Sequence, residues 1–230
     1  MDRNELVEPE EVWLTGDEAE ARLRQMGLEP ADLIEPLELA AVDAAGCTEV
    51  DAPGAAGYVF WTRGNRYLRE RLIPQGWGWT NRDNILRTIS PDGSFSISAI
   101  SGAGAVGVPG GQVQTRNPKG AAVATLVRYN YSVAGGARNA DFLPGLDFPA
   151  EQFEPDMHPT WFLLYKATSE GIMFELSLPV DMLGSSVNRW REHIIVGPAG
   201  YGGDGGVKLD LDVFTDQINE VVDVPVERIA

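Results

Sequence analysis

The chain has 230 residues, a net charge of −16, and 43% hydrophobic and 23% charged side chains, a globular balance that excludes wholesale disorder and suffices for one sizeable core or two small ones. No apolar run approaches the roughly 18 residues of a membrane-spanning helix, and the lone Cys47 excludes an internal disulfide framework. The start, Met1-Asp2-Arg3-Asn4-Glu5, lacks the basic and apolar regions of a secretory signal, so a soluble cytoplasmic protein without membrane contact is expected, of unspecified oligomeric state.

The first predicted element is a helix opened by Thr15, with Glu18 three residues on in capping-box form. Ala19, Leu23 and Met26 share its inner face, and Gly27 suits its end. A second helical pattern runs from Pro30, is interrupted by Pro36 or restarts there, buries Leu37, Ala40, Ala41 and Ala44, and stops at Gly46. Residues 51–57 form a Pro/Gly/Ala joint, which divides an acidic helical segment, 1–50, from a body, 58–230, unless the two are one continuous domain.

Residues 58–62 read as a short aromatic strand. Residues 66–73 are ambiguous, with Leu68 and Leu72 favouring a helix that Pro74 ends. Residues 84–90 and 95–101 flank the turn Pro91-Asp92-Gly93, and the alternation of Phe95, Ile97 and Ala99 with Ser96 and Ser98 predicts a hairpin with one buried and one polar face. After a Gly-rich loop, 102–111, residues 121–127 can be a helix behind Asn117-Pro118, but alternating Val123, Thr125, Val127, Tyr129 and Tyr131 favour a strand. The long segment 134–160 reads as a loop packed through Phe142, Leu146, Phe148 and Phe153. Residues 161–168 and 172–178 form the clearest hairpin, turned by Ser169-Glu170-Gly171. An amphipathic helix at 187–193, a strand at 194–196, a Gly loop at 197–206, a strand at 207–213 and a short helix from Thr215 complete the reading. The expected class is α+β: an acidic helical N-terminal segment, then a mostly antiparallel sheet with two to three packed helices.

Charge carries the functional expectation. Residues 1–57 hold 15 acidic and 3 basic side chains, residues 58–140 hold 3 and 10, and residues 141–230 hold 16 and 5. Nine of the ten central cations are Arg, which pairs with carboxylates and phosphates alike. Arg63, Arg66, Arg69, Arg71, Arg82 and Arg87 interleave with Trp77 and Trp79, whose indoles share a face if the segment is extended. Such a surface can engage a polyanion, nucleic acid or nucleotide, by phosphate contact and stacking, or an acidic protein partner. The same arginines can instead pair with the acidic flanks inside the fold.

Other motifs are incomplete. Gly102, Gly104 and Gly107 match G-x-G-x-x-G, yet Pro109-Gly110-Gly111 would break the required helix, and no acidic residue lies between Asp92 and Asp141. Asp204, Asp210 and Asp212 could hold Mg²⁺ or Ca²⁺ through oxygen ligands, or be solvated strand carboxylates. His158 and His193 have no zinc-ligand spacing, and no nucleophile elbow is present. The favoured reading is therefore a non-catalytic intracellular binding or regulatory protein using the basic face at 58–90, with no cofactor required. The alternatives are a divalent-metal enzyme on a phosphate-bearing substrate and an acidic decoy or immunity-type protein for a basic partner.

Overall fold

The computed structural model describes residues 11–133, 157–168 and 171–198. The expectations for residues 134–156 and 199–230, including Asp204, Asp210 and Asp212, lie outside these residues. In chain order the elements are β1 (Val12–Leu14), α1 (Gly16–Gln25), α2 (Pro30–Ala45), α3 (Ala55–Leu72), β2 (Gly78–Thr80), β3 (Arg87–Ile89), β4 (Ser96–Gly104), β5 (Val113–Thr115), α4 (Ala121–Val133), β6 (Thr160–Thr168), β7 (Gly171–Leu183) and β8 (Ser186–Pro198). The class is α+β. One mixed, mostly antiparallel sheet runs β1-β8-β7-β6-β4-β3-β2, with β5 also paired to β4, and only β1–β8 and β4–β6 are parallel. Among the described residues no helix is long and apolar enough to cross a membrane.

The sheet is covered on both faces. Trp161, Leu163 and Tyr165 of β6 join the cluster formed with α1, α2 and α3, while Phe162 and Leu164 join Leu126 and Val127 of α4. Burial on both sides is why β6 is apolar without alternation. It also corrects the expected polar face of β4, since Ser96 and Ser98 are 0% and 2% exposed and Ser96 bonds Thr160 across the parallel pair. The first cluster contains residues on both sides of the joint at 51–57.

The hairpins β3–β4 and β6–β7 stand where the alternation places them. Three local expectations fail. Residues 58–62 belong to α3, because Ala56, Phe60, Gly64, Leu68 and Leu72 repeat every four residues and are all buried. Residues 121–133 are helical, with Leu126, Val127 and Asn130 facing the sheet. Residues 187–193 belong to β8, whose pairing with β7 carries register shifts that break the two-residue period. Thr15 caps α1 by position, but its side chain makes no capping bond. Pro36 does not interrupt α2. An internal proline costs about 3 kcal/mol, and the full burial of Leu33 and Leu37 beside it, about 1.5–3 kcal/mol each, outweighs that.

Two buried asparagines tie the helical layers to the sheet. Successive strand residues turn their backbone groups to opposite neighbours, and the Ser96 N–H donates to Pro159 on the β6 side. Ile97, Ala99 and Ser101 therefore face the other way. Ile97 lies opposite Thr88 of β3, and the Ser101 carbonyl accepts the Arg116 N–H. Ala99 falls in the gap between β3 and β5, where Asn65 of α3 serves it: Oδ1 accepts the Ala99 N–H at 3.1 Å and Nδ2 donates to the Ala99 carbonyl at 3.0 Å. Asn130 of α4 does the same at the start of β6, accepting the Thr160 N–H and donating to the Thr160 and Pro179 carbonyls, all at 2.9 Å.

Candidate functional site

The arginines picked out by sequence are largely engaged by the fold. Arg63 pairs with Asp43 at 3.2 Å, and Arg71 pairs with Asp32 at 2.8 Å and Glu35 at 3.1 Å, so α3 meets α2 through opposite charges. Burial disfavours the Asp32 charge, but the Glu29 N–H, Arg71 and Gln75 all donate to it and hold its carboxyl below the ordinary value. Arg66 pairs with Glu70 one turn along α3. Arg69 donates to the Thr80 carbonyl and Asn81 and lies 5.0 Å over the Trp79 ring. Arg82 lies 3.9 Å from Asp83, and Arg87 is buried in β3. Trp77 is 4% exposed and packs edge-on against Phe95, whereas Trp79 is 55% exposed. Gly76 takes φ +90° and closes the 3₁₀ turn after α3, so extended chain begins only after it.

The motif Gly102, Gly104 and Gly107 is a packing device. No helix follows it, and β4 ends at Gly104. A Cβ on Gly104 would strike the Gln112 carbonyl of the returning chain, and its φ is +80°. The Gly107 N–H donates to buried Glu175 at 2.7 Å.

The site with the most chemical potential lies at the carboxyl ends of the parallel pair β4–β6. There a cleft of about 470 Å³ opens between the first turns of α3, residues 84–86, β4, the segment 116–123 leading into α4, and β6. Tyr58, Phe60, Trp61, Ile85, Val123 and Ile172 supply apolar walls, and Arg116, Lys119 and Lys166 supply charge. Among the described residues no Asp or Glu lines it. The helix ends repeat the pattern. Helices α1 and α2 carry Asp17, Glu18 and Asp32 in their first turns, whereas α3 and α4, whose N-termini border the cleft, carry no acidic residue there. Their positive ends therefore lack the first-turn carboxylates that α1 and α2 carry.

Burial lowers the Arg116 guanidinium from its ordinary value, opposed by neighbouring Tyr165, and raises the Tyr165 phenol. Burial also brings the Lys119 amine down to about 8. Lys166 donates to the Gly104 carbonyl at 2.6 Å. Sequence reasoning noted the acid-free stretch between Asp92 and Asp141 but used it only to dismiss a dinucleotide site. That stretch supplies Arg116 and Lys119.

A second polar cluster, also unforeseen, surrounds His193. Its Nδ1 lies 2.9 Å from Glu175 and 3.0 Å from the Ser177 hydroxyl, its Nε2 lies 2.8 Å from Glu11, and Trp13 stacks on the ring at 3.7 Å. In a nucleophilic triad the serine and the carboxylate take opposite ring nitrogens. Here Ser177 and Glu175 crowd one nitrogen and a second carboxylate takes the other. Ser177, Glu175 and His193 are each 0% exposed, so the cluster clamps β1 to the sheet instead of meeting a substrate.

Among the described residues no group of three or more His, Cys, Asp or Glu is arranged to hold a metal ion. No family model matches the chain, and no curated protein or solved structure matches it.

Proposed function

We propose that this is a binding protein for a small anion, a carboxylate or phosphate carried on an apolar or aromatic body, taken up in the cleft between α3, α4 and the β4–β6 strand ends. One observation carries the reading: in a chain of net charge −16, this concavity gathers Arg116, Lys119 and Lys166 and, among the described residues, no carboxylate. Cations placed together raise the energy of the empty protein, and an entering anion relieves it. The N-termini of α3 and α4 add to the same field. The aromatic wall of Tyr58, Phe60 and Trp61 supports a ligand that is flat or apolar at its other end.

A small ligand is favoured over a nucleic-acid strand. Arg63, Arg66 and Arg71 already face carboxylates, and the acidic surface elsewhere repels a long polyanion. The test is calorimetric titration of the full chain with aromatic carboxylates, mononucleotides and their neutral isosteres. Anions should bind at least ten times more tightly than the isosteres, with affinity falling as salt rises, and Arg116→Met should weaken them about tenfold or more. Equal affinity for the neutral compounds would refute the reading.

A further inference from the structure

We propose that Lys119 captures an aldehyde or 2-oxo acid in this cleft as an imine. The proposal rests on the anion-binding reading above and names the chemical class of its ligand.

The composition first points to an amine. Of 18 basic residues only three are lysines, Lys119, Lys166 and Lys208, and two of the three line this one cleft. The other basic residues are fifteen arginines and Lys208. A guanidinium cannot release its proton under physiological conditions, whereas an ammonium can, so lysine is the residue that can become a nucleophile.

The structure then separates the two lysines. Lys166 is tied as a cation to the Gly104 carbonyl. Lys119 is held by its backbone, whose N–H donates to the Ser185 carbonyl at 2.7 Å, while its side chain is half-buried among Arg116, Val123 and the α4 N-terminus. Among the described residues no hydrogen bond or ion pair engages its ammonium, and none that lines the cleft is a carboxylate. With the amine brought down to about 8 by burial, about a tenth of it is free base near pH 7. That compares with less than a thousandth for an ordinary lysine.

The step balances without an oxidant or reductant. The Nζ lone pair attacks the carbonyl carbon and forms the C–N bond, while the C=O π pair moves to oxygen, which takes up a proton. The nitrogen loses one proton to give the neutral carbinolamine; the hydroxyl then takes up a second proton and leaves as water, the nitrogen lone pair forms C=N, and loss of the second nitrogen proton leaves the neutral imine. Reprotonation of the imine restores the positive charge that Lys119 held. Arg116 and Lys166 line the same cleft as cations that can meet the carboxylate or phosphate of the same ligand, and Trp61 is part of its apolar wall.

The experiment treats the full chain with 4-formylbenzoate and cyanoborohydride, which reduces an imine to a stable secondary amine, and locates the adduct by peptide mass mapping. Because there are only three lysines, the map is unambiguous. Lys119 should be labelled at least tenfold faster than Lys166 and Lys208, excess 4-methylbenzoate should slow labelling at Lys119 alone, and Lys119→Arg should abolish the fast adduct. Calorimetry with 4-methylbenzoate on the unaltered chain separates the two ideas. If that carboxylate binds and labelling shows no preference for Lys119, the imine is overturned and the anion site stands. If it does not bind and labelling is again even, both fall.

Discussion

Replacing Asn65 by alanine tests how this sheet is held open at β4 without a neighbouring strand. The substitution leaves the N–H and C=O of Ala99, a residue 0% exposed, without the partners that Asn65 supplies at 3.1 and 3.0 Å. Each stranded buried group costs about 1–3 kcal/mol. Alanine returns about 0.5 kcal/mol through its better helix propensity, and the Trp61 carbonyl, the third partner of Asn65, keeps its place in the helix ladder. The net loss is about 2–5 kcal/mol, a large share of the 5–15 kcal/mol that stabilises a typical domain. Urea unfolding followed by circular dichroism reads this as a lower midpoint with unchanged slope. Asn65→Asp keeps the shape but removes both donors when ionised, so a carboxylate oxygen faces the Ala99 carbonyl. It should be at least as damaging at pH 7 and should recover part of the loss near pH 4, when a protonated carboxyl again offers a donor. An Asn65→Ala protein within about 0.5 kcal/mol of the wild type would refute the claim that this side chain stands in for a strand.

Glu175→Ala removes the acceptor of the Gly107 N–H, the Ser177 hydroxyl and His193 together; breaking such a buried pair costs about 3–5 kcal/mol, and calorimetry should show Tm lower by roughly 10 °C. Gly104→Ala sets a Cβ against the Gln112 carbonyl at a positive φ, and an expected loss above about 2 kcal/mol can be read from the urea midpoint. The Asp32 carboxyl lies below its unfolded value, so its contribution is complete above about pH 4 and is lost as pH falls through the folded value. The difference in urea midpoint between wild type and Asp32→Asn should shrink on acidification from pH 6 to pH 3. The Lys119 amine is brought down to about 8, so its rate of acylation should level off above roughly pH 8–9, while that of a free lysine analogue in the same solution should still be rising.

What the sequence disclosed followed how far each signal is local. The hairpin β6–β7 is legible because Ile172, Phe174, Leu176 and Leu178 alternate within one strand, next to a turn of small and polar residues. The start of α3 was misread because Tyr58, Val59, Phe60 and Trp61 individually favour strands, and the deciding pattern needs all five buried positions from Ala56 to Leu72. In α4 the alternating Val123, Thr125, Val127, Tyr129 and Tyr131 are present, but the sheet selects Leu126, Val127 and Asn130. An asparagine on an apolar stripe was the available sign that a backbone group needed a partner, and both Asn65 and Asn130 carry it. In β8 buried His193 and Trp190 sit among charged neighbours, so no apolar period shows. The α2–α3 ion pairs were visible only as one of two uses for the same arginines. The cleft was not visible at all, because its cations come from residues 116, 119 and 166 and its aromatic wall from residues 58–61.

The pairing of β1 with β8 sets an order of assembly. Glu11 reaches His193 across 182 positions of sequence, and Trp13 stacks on the same ring. During synthesis β1 therefore emerges long before the strand it must join, and its three residues have no other partner in the sheet. Contacts of such long sequence separation form slowly, since a large loop must close before any of them is made. The central strands can condense around β6 first, and the N-terminal strand can dock only after β8 has been laid down, which makes the Trp13–His193 stack a marker of the last stage of folding.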